Sequence, residues 1–172
     1  GERFLEFLIH NREILTPRSV IGKIVEGEKQ YKKKIESLPV NDVIGKFFEE
    51  ENLKNQREYL YKYMQKLRHM GIPIPDEFVT TMAILYIEHR SPETLKVLHA
   101  VSGSDYKIVK EAAHEHKMYR EEALLLLGGG KMMDGLNIDL QYIQSPREAV
   151  DYAMRCDDDN VWKELLKYSR YD

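Results

Sequence analysis

The sequence predicts an all-α protein, an α-solenoid of stacked antiparallel helical hairpins, and three observations point there. Apolar residues recur at helical spacing. Leu60, Met64 and Leu67 stand at i, i+4 and i+7 with Tyr63 beside them, and Phe78, Met82, Leu85 and Tyr86 repeat the pattern. Val161, Leu165 and Tyr168 do so again, with Trp162 and Leu166 widening the stripe. No stretch alternates apolar and polar residues over a strand's length, and no Asn-Gly or Asp-Gly hairpin turn occurs. Finally, helix starts recur every 13 or 14 residues, near Ser91, Ser104, Met118, Lys131, Ser145 and Asp158, so a helix pair with its turns takes about 27 residues.

Each element has its own signal. Gly1 reads as a cloning scar followed at once by helical residues, which suggests an excised piece of a longer protein. Thr16-Pro17, Ser91-Pro92 and Ser145-Pro146 each place a capping hydroxyl before a proline. The hydroxyl can accept from an orphan N–H of the first turn, and proline at the first helical position loses no hydrogen bond. In Ser145-Pro146-Arg147-Glu148 the glutamate can also reach back to the cap N–H, as in a capping box. Asp76, Asp105 and Asp158 or Asp159 read as further caps, with acidic charge at the positive helix end. Gly71 after Met70 and Gly128-Gly129-Gly130 after Leu124–Leu127 read as stops, and Pro39, Pro73 and Pro75 break the chain.

Residues 1–172 are thus expected to form one solenoid fragment, with less regular helices over 3–58 and regular repeats over 59–172. Glu26 to Glu36 reads as a charged insertion, either a loop or an extended helix end. Internal similarity is faint: only the Ser-Pro starts at Ser91 and Ser145 resemble each other, and no tetratricopeptide or ankyrin consensus occurs.

The composition narrows the function. With 26 basic and 29 acidic residues the net charge is −3, which argues against a nucleic-acid partner, whose binding needs a concentrated basic excess. Hydrophobic residues at 42 % and charged ones at 32 % describe a soluble folded domain. No apolar run approaches the roughly 18 residues that cross a bilayer, and no charged-then-apolar signal segment opens the chain, so direct membrane insertion is not expected. The single cysteine, Cys156, permits no internal disulfide and suggests a reducing compartment such as the cytosol.

Motifs that could carry chemistry fall short of it. His114-Glu115-His116 puts its imidazoles at i and i+2, about 200° apart on a helix, so they cannot share a metal and read as exposed helix histidines. Gly128-Gly129-Gly130-Lys131 echoes a phosphate loop, but Leu125 and Met132 occupy the positions that need Gly and Ser or Thr; it reads as a hairpin turn. Cys156 reads as a structural thiol whose pKa is raised by Asp157, Asp158 and Asp159. The Lys-rich stretch 29–34 lies in a window, Lys23 to Glu36, of five lysines against three glutamates, and reads as a solvated face. Tyr59, Tyr61 and Tyr63 spread over different helix faces and read as packing. Asp157 to Asp159 reads as a turn and cap, with a basic partner as the alternative. Trp162 reads as a core anchor whose removal would cost about 3–5 kcal/mol. The sequence therefore nominates no catalytic, cofactor-binding or metal residue and implies no cofactor; partner-binding residues stay unassigned.

One succession of motifs carries a resemblance. Ala112-Ala113-His114-Glu115-His116 is followed by Tyr119-Arg120-Glu121-Glu122-Ala123-Leu124-Leu125-Leu126-Leu127-Gly128 and by Ser145-Pro146-Arg147-Glu148-Ala149-Val150-Asp151-Tyr152-Ala153. It closes with Asp157-Asp158-Asp159-Asn160-Val161-Trp162-Lys163-Glu164-Leu165-Leu166-Lys167-Tyr168-Ser169. Upstream, Tyr59-Leu60-Tyr61-Lys62-Tyr63 and Met82-Ala83-Ile84-Leu85-Tyr86 fit the same pattern, and Leu8-Ile9 through Val20-Ile21 fit it loosely. This order resembles the clathrin-heavy-chain-repeat region of vacuolar protein sorting subunits of the HOPS tethering complex, as a divergent homologue. The resemblance implies a non-enzymatic scaffold for endosome-to-vacuole or lysosome trafficking, peripheral on those membranes. Its implied partners are other tethering-complex subunits, further copies of itself, and adaptors or small GTPases met through the full-length protein. A clathrin-like coat subunit or another helical-repeat adaptor is the alternative, with an RNA-binding repeat behind it.

Overall fold

The structure, a computed structural model, describes residues 1–169. Among these the chain is all-α and of helical-repeat, solenoid type, with no strand. It divides into two compact units, Gly1–Leu85 and the remainder from Tyr86 onward.

The first unit holds α1 (Glu2–His10), α2 (Pro17–Ser37), α3 (Val43–His69), a 3-10 turn (Asp76–Phe78) and most of α4 (Val79–Glu88). Thr16 caps α2 as its sequence suggests, its hydroxyl accepting from Ser19 N–H at 3.3 Å. Glu26 to Glu36 continues α2 as helix rather than looping out. Its charges sit in solvent except Glu28, which is buried and bonds Arg57 of α3 at 3.0 Å. Leu60, Tyr63, Met64 and Leu67 of α3 are all fully buried, with Leu5, Leu8, Ile9, Ile21, Met82, Ala83 and Leu85 completing the core. Burial pushes the Tyr63 hydroxyl up to about 12, with Tyr59 adding to it. Asp76 lies inside the 3-10 turn rather than at its cap, because Pro75 takes the cap position.

The second unit continues with α5 (Thr94–Leu98), α6 (Tyr106–Glu115), α7 (Tyr119–Gly128), α8 (Met132–Ile138), a π turn (Asp139–Ile143), α9 (Pro146–Cys156) and α10 (Asp159–Ser169). The starts expected at Met118, Lys131, Ser145 and Asp158 fall where the sequence puts them. The start expected at Ser91 slips to Thr94. Ser91 Oγ accepts from Glu93 N–H at 3.1 Å and Ser91 O accepts from the Thr94 hydroxyl at 2.6 Å, so a turn forms before the helix does. Ser145 caps α9 through Glu148 N–H at 3.3 Å, but the reciprocal half of the capping box is missing. Glu148 turns its carboxylate to the Arg120 guanidinium instead, a charged partner stronger than a backbone N–H.

The stops show the repeat that sequence similarity barely hints at. Gly71 takes φ +72°, and the N–H groups of Gly71 and Ile72 bond Arg68 O and Leu67 O, closing α3 as a Schellman motif. The same two-bond closure ends α4 at Arg90, α6 at Lys117 and α7 at Gly130. Left-handed residues then stand at equal intervals at Arg90, Lys117 and Gln144, and the same interval separates Gly130 from Asp157. The spacing matches the helix-pair length read from the starts, so the period is one of backbone geometry more than of residue type.

Ala123, Leu136, Leu140, Ala149, Tyr152, Ala153 and Val161 form one core cluster of this unit, and Ile87, Val97, Val109, Ala113 and Leu126 are buried as well. Gly135 marks where α8 comes closest to its neighbours: a Cβ there would meet Tyr152 Cζ at 2.7 Å and the Ala123 carbonyl oxygen at 2.9 Å. Val161, not Trp162, is the fully buried residue of α10. Trp162 is half-buried against the core, and Leu166 and Tyr168 are exposed, because the apolar stripe of α10 is wider than the surface it packs on. Trp162→Ala is therefore expected to cost about 1–2 kcal/mol rather than a full core deletion. Urea unfolding checks this, with Tyr152→Ala as the larger comparison.

Candidate functional site

Three surfaces stand out, each set by where the elements above leave side chains. The first is a stripe at the beginning of α3. Val40, Val43, Ile44, Phe47 and Phe48 are all exposed, at 58 % or more. Positions 43, 44, 47 and 48 share one helical face and Val40 sits in the turn before it. Exposed apolar surface of this kind marks a contact site in soluble proteins. The lysines of the 29–34 stretch are exposed on α2, with Lys34 Nζ 5.8 Å from the Tyr31 ring centre.

The second is an open groove of about 570 Å³ bordered by Leu140, Ala149, Val150, Trp162, Leu165 and Leu166. It is the space that the exposed side of the α10 stripe faces.

The third is polar. A cleft of about 260 Å³ lies among α7, α9 and the π turn, lined by Arg120, Asp139, Glu148, Asp151, Tyr152 and Arg155. Two guanidinium donors of Arg120, Nε at 3.1 Å and an Nη, hold the Glu148 carboxylate in a bidentate pair. Asp139 is only 3 % exposed. Burial drives its carboxyl up to about 6, against a smaller opposing pull from Arg120. Tyr152 donates its hydroxyl to Met132 O at 2.7 Å and is pushed well above the usual phenol range, chiefly by burial. Cys156 beside it is half-buried and also raised, chiefly by burial, with Asp158 and Asp139 adding to it and the Tyr152 hydroxyl opposing. The raised thiol agrees with the sequence reading, with loss of water acting ahead of Asp158 and with Asp139 as the other contributing carboxylate.

The histidine motif divides as its spacing requires. His116 bonds its own helix through Ala112 O at 2.9 Å. His114 is exposed as the sequence suggests, and its Nδ1 lies 2.8 Å from the carboxylate of buried Glu122. Its ring stands edge-on to Tyr119 at 5.7 Å and Tyr142 at 5.2 Å, and those two tyrosines stack at 4.5 Å. A carboxylate that orients an imidazole is half of a general-base pair; here the ring stays partly open to solvent beside the two tyrosines. Among the described residues no cluster of His, Cys, Asp or Glu is placed to hold a metal. His114→Ala is expected to cost about 1–3 kcal/mol, because it leaves the Glu122 carboxylate buried without that hydrogen bond. Adding Glu122→Gln should recover part of the loss, as denaturant midpoints at pH 7 would show.

The glycine turn and the aspartate run behave as their sequences suggest. Gly130 supplies the left-handed stop, and Gly129 sits where a side chain would meet the Tyr106 ring at 3.0 Å. Asp157 takes φ +48°, and Asp158 accepts from Asn160 N–H at 2.8 Å as the cap of α10. No described helix is long and apolar enough to cross a membrane.

Asp139 and Glu122 are the residues that motif reading misses. Both sit in apolar phase, Asp139 with Gly135 and Leu136 at i−4 and i−3, Glu122 with Met118 and Leu125. An acidic residue in helical phase with core residues is the available signal for a buried carboxylate.

Comparison with known proteins agrees with the resemblance. The chain is 24 % identical over 168 residues to the vacuolar protein sorting-associated protein 41 homolog of Arabidopsis thaliana, covering 96 % of this chain and 16 % of that protein. The homologs of Danio rerio and Mus musculus are 24 % and 23 % identical, over 69 % and 66 % of this chain and 14 % and 13 % of theirs. The chain thus spans about a sixth or less of the length of the relatives it matches. No solved structure gives a significant match. The family model of the Vps41 TPR-like region matches residues 1–171. With a match of that extent, on helices whose stops recur at one fixed interval, the chain belongs to the Vps41 TPR-like region family.

Proposed function

We propose that residues 1–172 act as a non-enzymatic interaction scaffold within a subunit of a vacuolar protein sorting tethering complex of HOPS type. The observation that carries this reading is the family match over residues 1–171. A helical repeat suits the task, because its stacked hairpins offer a long surface without a deep pocket. The apolar stripe on α3 and the groove beside α10 support it, since both leave large apolar side chains in solvent. In this reading the partners are other tethering subunits or further copies of the parent protein, with adaptor or small-GTPase contacts made by the full-length chain. The site of action is the surface of late endosomes, vacuoles or lysosomes.

The test is affinity capture from cell extract with this chain as bait, read by mass spectrometry. Recovery of tethering subunits, absent from a bait carrying an unrelated helical repeat, is the expected result. Recovery of clathrin components alone would move the assignment to a coat subunit, and salt-sensitive recovery of RNA would move it to an RNA-binding repeat.

A further inference from the structure

The charged cleft of the second unit holds a group without a hydrogen-bond partner. Asp139 is only 3 % exposed at the start of the π turn and lines the cleft, yet its carboxylate makes no side-chain hydrogen bond among the described residues. Arg120, which lines the same cleft, turns two of its donors to Glu148 and makes no hydrogen bond to Asp139 among the described residues. Of the remaining lining charges, Asp151 and Arg155 are both at the exposed rim and offset each other. Tyr152 cannot answer Asp139 either, since its hydroxyl proton goes to Met132 O. One buried acidic group is therefore left in the wall of an open space of about 260 Å³, and it lines the groove beside α10 as well.

A carboxylate in that position calls for a positive group that brings its own N–H donors. A multivalent metal ion does not fit, because no cluster of ligating side chains is arranged to coordinate one among the described residues. We propose that this cleft is a receptor for one basic side chain, a lysine or arginine presented by a partner polypeptide, with Asp139 as the buried acceptor and Asp151 at its rim. Ammonium and guanidinium groups share the chemistry needed: one positive charge, several donors, and an apolar stem that can lie along Leu95 and Leu124 at the cleft wall. The inference stands on the cleft alone and holds whether or not the chain serves in tethering.

The experiment is an NMR titration of the whole chain with N-acetyl-arginine amide and N-acetyl-lysine amide, with N-acetyl-citrulline amide as the uncharged isostere. The expected result is saturable shifts at Arg120, Asp139 and Tyr152 for a cationic probe and none for citrulline. Asp139→Asn should weaken that binding at least tenfold. Asp151→Asn, at an exposed position that leaves folding untouched, should weaken it about two- to threefold. An equal response to citrulline, or undiminished binding by Asp139→Asn, would overturn the proposal.

Discussion

Asp139→Asn is expected to stabilise the protein at pH 7 by about 2–3 kcal/mol, an unusual sign for a substitution at a buried site. The carboxyl has a pKa of about 6 in the folded chain against an ordinary 3.8, so the folded state holds the proton more tightly than the unfolded state does. Below about 3.8 both states are protonated and the group imposes no penalty. As pH rises through the window from 3.8 to 6 the unfolded chain ionises freely while the folded one resists, and stability falls. Above 6 the full penalty is present. Asparagine removes it and keeps the shape. Arg120 already lessens the penalty, Glu148, Asp151 and Arg155 face the same cleft, and Tyr152 and Cys156 stay neutral in this range with raised pKa values. The check is a pair of urea-unfolding series from pH 4 to 8: the two proteins should converge at the acid end and separate toward neutrality. A variant less stable than the parent at pH 7 would show that Asp139 is already paired.

Gly135→Ala carries the second large effect, with a sign opposite to helix propensity. In an open helix the change favours folding by about 0.5–1 kcal/mol. Here the new methyl would meet the Tyr152 ring carbon at 2.7 Å and the Ala123 carbonyl at 2.9 Å, and the carbonyl is backbone that cannot swing aside. Helix α8 must move off α7 and α9, at a net cost of about 2–3 kcal/mol. Gly27→Ala in α2 is the matched control: nothing lies within 4 Å of its Cβ position, so the ordinary gain should appear. Thermal unfolding of the two variants should shift in opposite directions; a stabilised Gly135→Ala would mean that this contact is looser than its geometry.

How much of this was legible follows from the range of the forces involved. Thr16, Ser145 and Asp158 act on their near neighbours in the chain, so their caps can be read directly, as can the Leu60–Met64–Leu67 face. The slipped start at Thr94 and the lost half of the capping box were not legible, because local and distant partners compete there. Glu148 prefers an arginine 28 residues away to its own cap, and sequence spacing gives no measure of that preference. The cleft belongs to the same class. Asp139, Arg120 and Asp151 come from three elements, and only the apolar phase around Asp139 hinted at its burial.

The left-handed stops have a consequence for how such a chain can change length. Arg90, Lys117 and Gln144 mark one phase and Gly130 and Asp157 the other. Because these residues reverse the chain whatever their side chain, duplicating or deleting the stretch from one stop to the next of its phase keeps every later stop at the end of its helix. A change that is not a whole number of these intervals puts a reversal inside a helix or a helix through a turn. Tandem growth by whole hairpins is thus the permitted mode. A second copy of residues 118–144 inserted after Gln144 should add one helix pair and leave α9 and α10 in register.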